Sequence, residues 1–133
     1  MMTSEPNATI LLLGSEPLFR SITKERLEGA GYVVLATGDL GTAVDMLAEH
    51  SVDLLITRPY VDNITGHEAA RYLRARNPRM GVLMVAGLLN DDRLQYRADL
   101  EEFEIFPPPF SADQLLDKVR EVLRLARERP HNA

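Results

Sequence analysis

Short, nearly continuous apolar runs alternate along the chain with segments in which apolar residues recur at a helical period. The runs are residues 9–13 (TILLL), 32–36 (YVVLA), 53–57 (DLLIT) and 81–86 (GVLMVA), with a weaker one at 103–106 (FEIF). Apolar runs of this length are typical of strands that are buried on both faces. The pattern therefore predicts five strands.

The segments between these runs predict helices. The clearest apolar stripe lies between residues 115 and 126, in the last helix. Thr65 followed by Glu68 has the form of a capping box at the start of the third helix. Asn77-Pro78 should end that helix, because the residue before a proline is disfavoured in the helical region.

Strand and helix alternation predicts the fold class α/β, with a doubly wound five-stranded parallel sheet in a three-layer (βα)5 sandwich. We expect a disordered N-terminus at residues 1–8 and one domain at 9–125. Residues 126–133 are either a C-terminal tail or a truncated linker. In such sheets ligands bind outside the carboxyl ends of the strands, so the candidate site lies in the loops that follow them.

Composition narrows the classes of function. The chain has 133 residues, the usual size of one domain, and no cysteine, which excludes disulfides and thiol chemistry. Fifteen basic and 20 acidic residues give a net charge of −5, which argues against binding nucleic acid by itself. No run is long enough to span a membrane and no signal peptide is visible, so we expect a cytoplasmic protein without membrane contact.

Four segments, in order, resemble the receiver domain of bacterial response regulators. They are ILLLGSEPLFR (10–20), AGYVV (30–34), VDLLITRPYVDNITG (52–66) and PPPFSADQLLDKVREVL (107–123). The resemblance covers about residues 9–124. It implies the CheY-like, flavodoxin-like fold and a role in two-component signalling.

The same resemblance implies that the phosphorylation chemistry of that family is lost here. Members of that family carry out the chemistry with a magnesium-binding acidic pair, a phosphoacceptor aspartate, a threonine or serine, a lysine and an aromatic switch residue. The matching residues here are, in that order, Gly14 and Ser15, Arg58, Ala86, Pro108 and Ile105.

The chemical consequence concerns phosphoryl transfer, which needs a carboxylate nucleophile, a divalent cation and positioned cationic donors. Arg58 carries a guanidinium, which stays protonated and does not attack phosphorus. Ser15 and Glu16 offer too few charged oxygen ligands for magnesium. We predict no catalytic residue, no metal site, no cofactor and no enzymatic activity.

Arg58 has two interpretations. It pairs with Glu16 or Asp62 at the surface, where such ion pairs contribute about 1 kcal/mol or less. Alternatively, the charge of the pocket is inverted from negative to positive, and Gly14, Ser15 and Arg58 bind an anion at a helix N-terminus.

Two further residues, Ser15 and His67, receive structural interpretations. Ser15 is expected to be the N-cap of the first helix, with Pro17 in its first turn. His67 is expected to be an exposed residue in the first turn of the third helix.

Two functions follow as hypotheses. The first is a pseudo-receiver, a phosphorylation-independent protein–protein interaction and regulatory module in bacterial two-component (phosphorelay-type) signal transduction. Its partner is a signalling protein or an output domain, or a second copy that binds through residues 88–104 and the last helix. The second is a sensor that binds a small anionic ligand in the altered pocket. The expected partner face presents Leu88, Leu89, Tyr96, Leu100 and Phe103.

Overall fold

The computed structural model of the protein describes residues 8–61, 64–85, 104–106 and 112–128. Its elements in chain order are β1 Thr9–Leu13, α1 Pro17–Gly29, β2 Val33–Thr37, α2 Leu40–Glu49, β3 Leu54–Thr57, β4 Tyr60–Val61, β5 Ile64–Thr65, α3 Gly66–Arg76, β6 Gly81–Val85, β7 Glu104–Phe106 and α4 Ala112–Glu128. The last helix thus continues past residue 125, where we expected the domain to end.

The main sheet has five parallel strands in the order β2-β1-β3-β6-β7. This arrangement confirms the predicted doubly wound sheet. A small antiparallel hairpin, β4 with β5, follows β3 and was not predicted. Its strands have two residues each, too few for a recognisable alternation of apolar and polar positions.

The core lies on both faces of the sheet, which explains the continuous apolar runs. In β1, Ile10 and Leu12 pack into one cluster, with residues of α1 and α4, while Leu11 and Leu13 pack into the other, with residues of α2 and α3. All four are fully buried. Because successive side chains of a strand point to opposite faces, a strand covered on both sides needs apolar residues throughout.

The ends of α3 follow the predicted signals. Thr65 Oγ1 accepts a hydrogen bond from the Glu68 amide at 3.1 Å, and Glu68 Oε1 accepts one from the Thr65 amide at 2.9 Å, which completes the capping box. The helix ends at Arg76, and Asn77 is its C-cap. Among the described residues, no helix is both long and apolar enough to cross a lipid bilayer.

Candidate functional site

The candidate site lies at the carboxyl ends of β1, β3 and β6. Thr57, the last residue of β3, pairs in register with Leu13 of β1 and Met84 of β6, so β1 and β3 end at one level and β6 continues one residue further. The Arg58 amide donates to the Leu13 carbonyl at 3.2 Å and extends the pairing by one residue. The residues that follow β1 and β3 therefore lie at the same edge of the sheet.

Arg58 connects the loops at this end of the sheet. Its Nε donates to Glu16 Oε1 at 3.2 Å, and its Nη1 donates to the Val85 carbonyl oxygen, also at 3.2 Å. Its Cζ lies 4.8 Å from the centre of the Phe19 ring. The side chain is only 19% exposed, so the guanidinium is held in the protein rather than projected into solvent.

The pairing of Arg58 with Glu16 confirms the first interpretation of this arginine. Glu16 is 57% exposed, so the pair itself contributes little to stability. The hydrogen bond to the Val85 carbonyl is partly buried and joins a charged donor to a strand end, which makes it the stronger contact. Asp62, the other predicted partner, lies outside the described residues.

Gly14 is buried and both of its backbone groups are occupied. Its amide donates to the Thr37 carbonyl at 3.1 Å, and its carbonyl accepts from Arg20 Nη1 at 2.6 Å. A Cβ at this position would lie 2.9 Å from Phe19 Cδ2 and 3.1 Å from Arg58 Cγ. The Gly14 amide is therefore not available to an anion, which removes one of the three expected contacts of an anion pocket.

Ser15 is not the N-cap of α1, contrary to the prediction. The N-cap is Glu16, whose backbone is extended and whose side chain makes no capping hydrogen bond. The helix begins at Pro17, as expected, so Ser15 lies one position outside it and is exposed. The Glu16 carboxylate pairs with Arg58 instead of capping its own helix.

His67 is buried, at 1% exposure, so the prediction of an exposed residue was wrong. The cause is the way α3 starts. The Gly66 amide donates to the Pro59 carbonyl at 2.5 Å, and a Cβ at Gly66 would lie 2.1 Å from the Arg58 carbonyl oxygen. Because the start of α3 packs directly against the end of β3, the His67 side chain is enclosed by protein.

The donors present at this end of the sheet do not fit a magnesium ion. After β1 the chain offers the Ser15 hydroxyl and the Glu16 carboxylate, and Arg58 already binds that carboxylate. Magnesium prefers several oxygen ligands that include carboxylates, and a bound guanidinium would repel it. Within the described part of the chain, no group of three or more histidine or acidic residues could hold a metal ion.

The remaining predicted residues are only partly described. Ile105 lies in β7 and pairs in register with Met84. Sequence reasoning missed the roles of Phe19, Arg20 and Gly38, since these residues act through contacts with the turn after β1. Other predicted residues lie outside the described part of the chain: Ala86, Pro108, Leu88, Leu89, Tyr96, Leu100 and Phe103.

Comparison with known proteins identifies relatives along most of the chain. The sequence model of the response regulator receiver domain family matches residues 10–120. The response regulator MprA of Mycobacterium bovis is 26% identical over 124 residues, which are 93% of this chain and 53% of that protein. The transcriptional regulatory protein CpxR of Escherichia coli is 28% identical over 115 residues, which are 86% of this chain and 49% of that protein. The chain thus spans about half the length of these curated relatives.

Solved structures show the same fold. The signal receiver domain of an HD domain-containing protein from Pseudomonas fluorescens superimposes with a TM-score of 0.84 at 21% identity, covering 93% of this chain and all of that one. A CheY-like receiver domain protein from Methanospirillum hungatei gives 0.83 at 19% identity and covers 92% of this chain and 98% of that one. At these identities the likeness supports the CheY-like fold alone.

Proposed function

The chain belongs to the response regulator receiver domain family, and from this premise we propose that it is a receiver that works without being phosphorylated. In this proposal it is a protein–protein interaction and regulatory module of bacterial two-component, phosphorelay-type signalling. The observation that carries the proposal is the guanidinium of Arg58 at the end of β3, bound to Glu16 and to the Val85 carbonyl.

The chemistry and the charge of Arg58 both oppose phosphoryl transfer at this site. An acyl phosphate forms when a carboxylate oxygen attacks phosphorus while a divalent cation neutralises the transferred oxygens. The guanidinium of Arg58 has no nucleophilic lone pair at neutral pH, and it is bound to the Glu16 carboxylate, where its positive charge would repel a divalent ion. We therefore propose a protein with no enzymatic activity and no cofactor.

The proposed partner is a protein. The curated relatives are about twice as long as this chain, so a signalling protein or an output domain is the first candidate. Self-association through residues 88–104 and the last helix is the second. The net charge of −5 makes nucleic acid an unsuitable partner for the chain alone, and we propose a cytoplasmic location.

The contacts of the altered pocket give no support to a small-anion sensor. The Gly14 amide donates its hydrogen bond to the Thr37 carbonyl. Arg58 is bound to Glu16, whose negative charge would repel an anion. We therefore do not carry that function forward, although its ligand is included as one arm of the test.

The test is phosphorylation of the purified chain by acetyl phosphate with magnesium, followed by intact mass measurement. An ordinary receiver with an aspartate phosphoacceptor serves as the positive control. We expect the control to gain the mass of a phosphoryl group and this chain to remain unmodified. A phosphorylated wild-type chain would overturn the proposal.

A second readout is the amide NMR spectrum with magnesium, with magnesium plus beryllofluoride, and with inorganic phosphate. We expect the amide chemical shifts of Gly14, Ser15 and Arg58 to remain unchanged under all three conditions. A shift that needs magnesium and beryllofluoride together would contradict the loss of chemistry. A shift with phosphate alone would restore the anion-sensor hypothesis in place of this one.

A further inference from the structure

Arg20 is a second arginine at the candidate site, and it acts on the turn that follows β1. It closes the first turn of α1, and its Nη1 donates to the Gly14 carbonyl oxygen at 2.6 Å. The side chain is partly buried. A charged donor at this distance from a carbonyl makes a strong hydrogen bond, so Arg20 holds the turn from the side of the helix.

Gly38, directly after β2, leaves the space that Arg20 occupies. A Cβ at Gly38 would lie 2.7 Å from Arg20 Nη1 and 3.4 Å from the Gly14 carbonyl oxygen. Any side chain at position 38 would therefore push the guanidinium away from Gly14. The contact between Arg20 and Gly14 depends on a residue that is distant in sequence and contributes only its lack of a side chain.

Arg58 holds the other end of the same turn. It binds the Glu16 carboxylate and the Val85 carbonyl, and its guanidinium stacks near the Phe19 ring. The turn of residues 14–16 is therefore fixed at its first residue by one arginine and at its last residue by another. Each guanidinium comes from a different element, one from α1 and one from the end of β3.

We propose that Arg20 and Arg58 are positioning residues that together clamp the turn of residues 14–16 in one conformation, with Gly38 as the space that admits Arg20. This inference rests on the proposed function and deepens it. A receiver that takes no phosphoryl group needs no mobile turn beside its pocket. A clamped turn holds the exposed Ser15, and the exposed Leu18 at the start of α1, in a constant arrangement.

Amide hydrogen exchange tests the clamp, because it reports local opening separately from global unfolding. The probes are the amides of Gly14 and Arg58, which bond to Thr37 and Leu13 at the clamped end of β1. The internal controls are the amides of Val33 and Asp53, which bond to Ala8 and Thr9 at the opposite end.

The variants are Arg20→Met and Arg58→Met, which keep an unbranched apolar side chain and remove the guanidinium. We expect the probe amides to exchange on the order of tenfold faster in each variant, the effect of losing a hydrogen bond from a charged donor. The control amides should keep their rates. Arg26→Met, in the last turn of α1, is the matched control and should change none of the four amides.

Gly38→Ala keeps both arginines and tests the clamp by another route. Its added methyl group displaces only the end of a flexible side chain, so the variant should fold and should reproduce the faster exchange seen in Arg20→Met. Unchanged probe amides in these variants, or equal acceleration at probes and controls, would overturn the clamp. No phosphoryl donor is present, so this result stands apart from the phosphorylation test of the proposed function.

Discussion

Replacing Arg58 with aspartate restores the residue type that receivers phosphorylate, and we expect it to destabilise the protein without restoring the chemistry. The variant loses the hydrogen bond to the Val85 carbonyl, the ion pair with Glu16 and the stacking on Phe19. It also places a new carboxylate near that of Glu16, where the two like charges repel each other.

The magnitude follows from these contacts. A hydrogen bond from a charged donor contributes about 1.5–3 kcal/mol, and its 3.2 Å length here favours the lower part of that range. A cation–π contact of an arginine adds about 0.5–1 kcal/mol. The pair with the half-exposed Glu16 adds less than about 1 kcal/mol. We expect Arg58→Asp to lower the free energy of unfolding by about 2–4 kcal/mol, a loss that a typical domain survives.

The assay is urea unfolding followed by circular dichroism, with Arg58→Met as the comparison. Methionine retains an apolar stem but no charge, so it should cost less than aspartate. Acetyl phosphate with magnesium should label neither variant, because Gly14 and Ser15 still supply no carboxylate for the ion. Unfolding of Arg58→Asp within about 0.5 kcal/mol of the wild type, or its clear phosphorylation, would refute this account of the site.

Two further predictions concern other parts of the fold. Gly66→Ala should lower the free energy of unfolding by about 1–3 kcal/mol or more, because its Cβ would lie 2.1 Å from the Arg58 carbonyl oxygen. In Gly41→Ala, in α2, the added Cβ makes only an ordinary van der Waals contact, so the free energy of unfolding should rise by about 0.5–1 kcal/mol. The urea midpoint should therefore fall in Gly66→Ala and rise in Gly41→Ala, and shifts of the same sign would contradict this packing. Hydrogen bonds from the Thr42 amide and then its hydroxyl lower the pKa of Asp39, so its ionised form stabilises the fold above about pH 4 and that contribution is lost as the pH falls further. Unfolding midpoints of Asp39→Asn and wild type should therefore converge at acidic pH, and a constant difference would disprove this linkage.

The fold was predictable because its signals are local or periodic. Strands covered on both faces are apolar at nearly every position, and the runs at 10–13 in β1 and 54–56 in β3 show this directly in sequence. The capping box of Thr65 and Glu68 needs only residues three positions apart. Ser15 was misassigned because the start of a helix is uncertain by a residue or two without its backbone geometry.

The site was predictable in position but not in its contacts. Topology placed Gly14 and Arg58 together, and elementary chemistry made Glu16 a reasonable partner for the arginine. The burial of His67 depends on how closely α3 approaches the end of β3, which no local pattern records. The contact of Arg20 with Gly14 depends on the path of the turn after β1. It also needs the absence of a side chain at Gly38, which follows a different strand, β2.

Gly14 and Arg58 depend on each other through packing. A Cβ at Gly14 would lie 3.1 Å from Arg58 Cγ and 2.9 Å from the Phe19 ring, so an acidic side chain there would have to displace one of them. An aspartate at position 58, with Gly14 and Ser15 retained, would have only the Glu16 carboxylate near it, which is too few ligands to hold a metal ion. Restoring either acidic residue alone therefore leaves a steric conflict or an incomplete ligand set. The loss of phosphorylation chemistry that we propose is thus a property of a complementary set of side chains, in which Gly14 makes room for the Phe19 ring and the stem of Arg58.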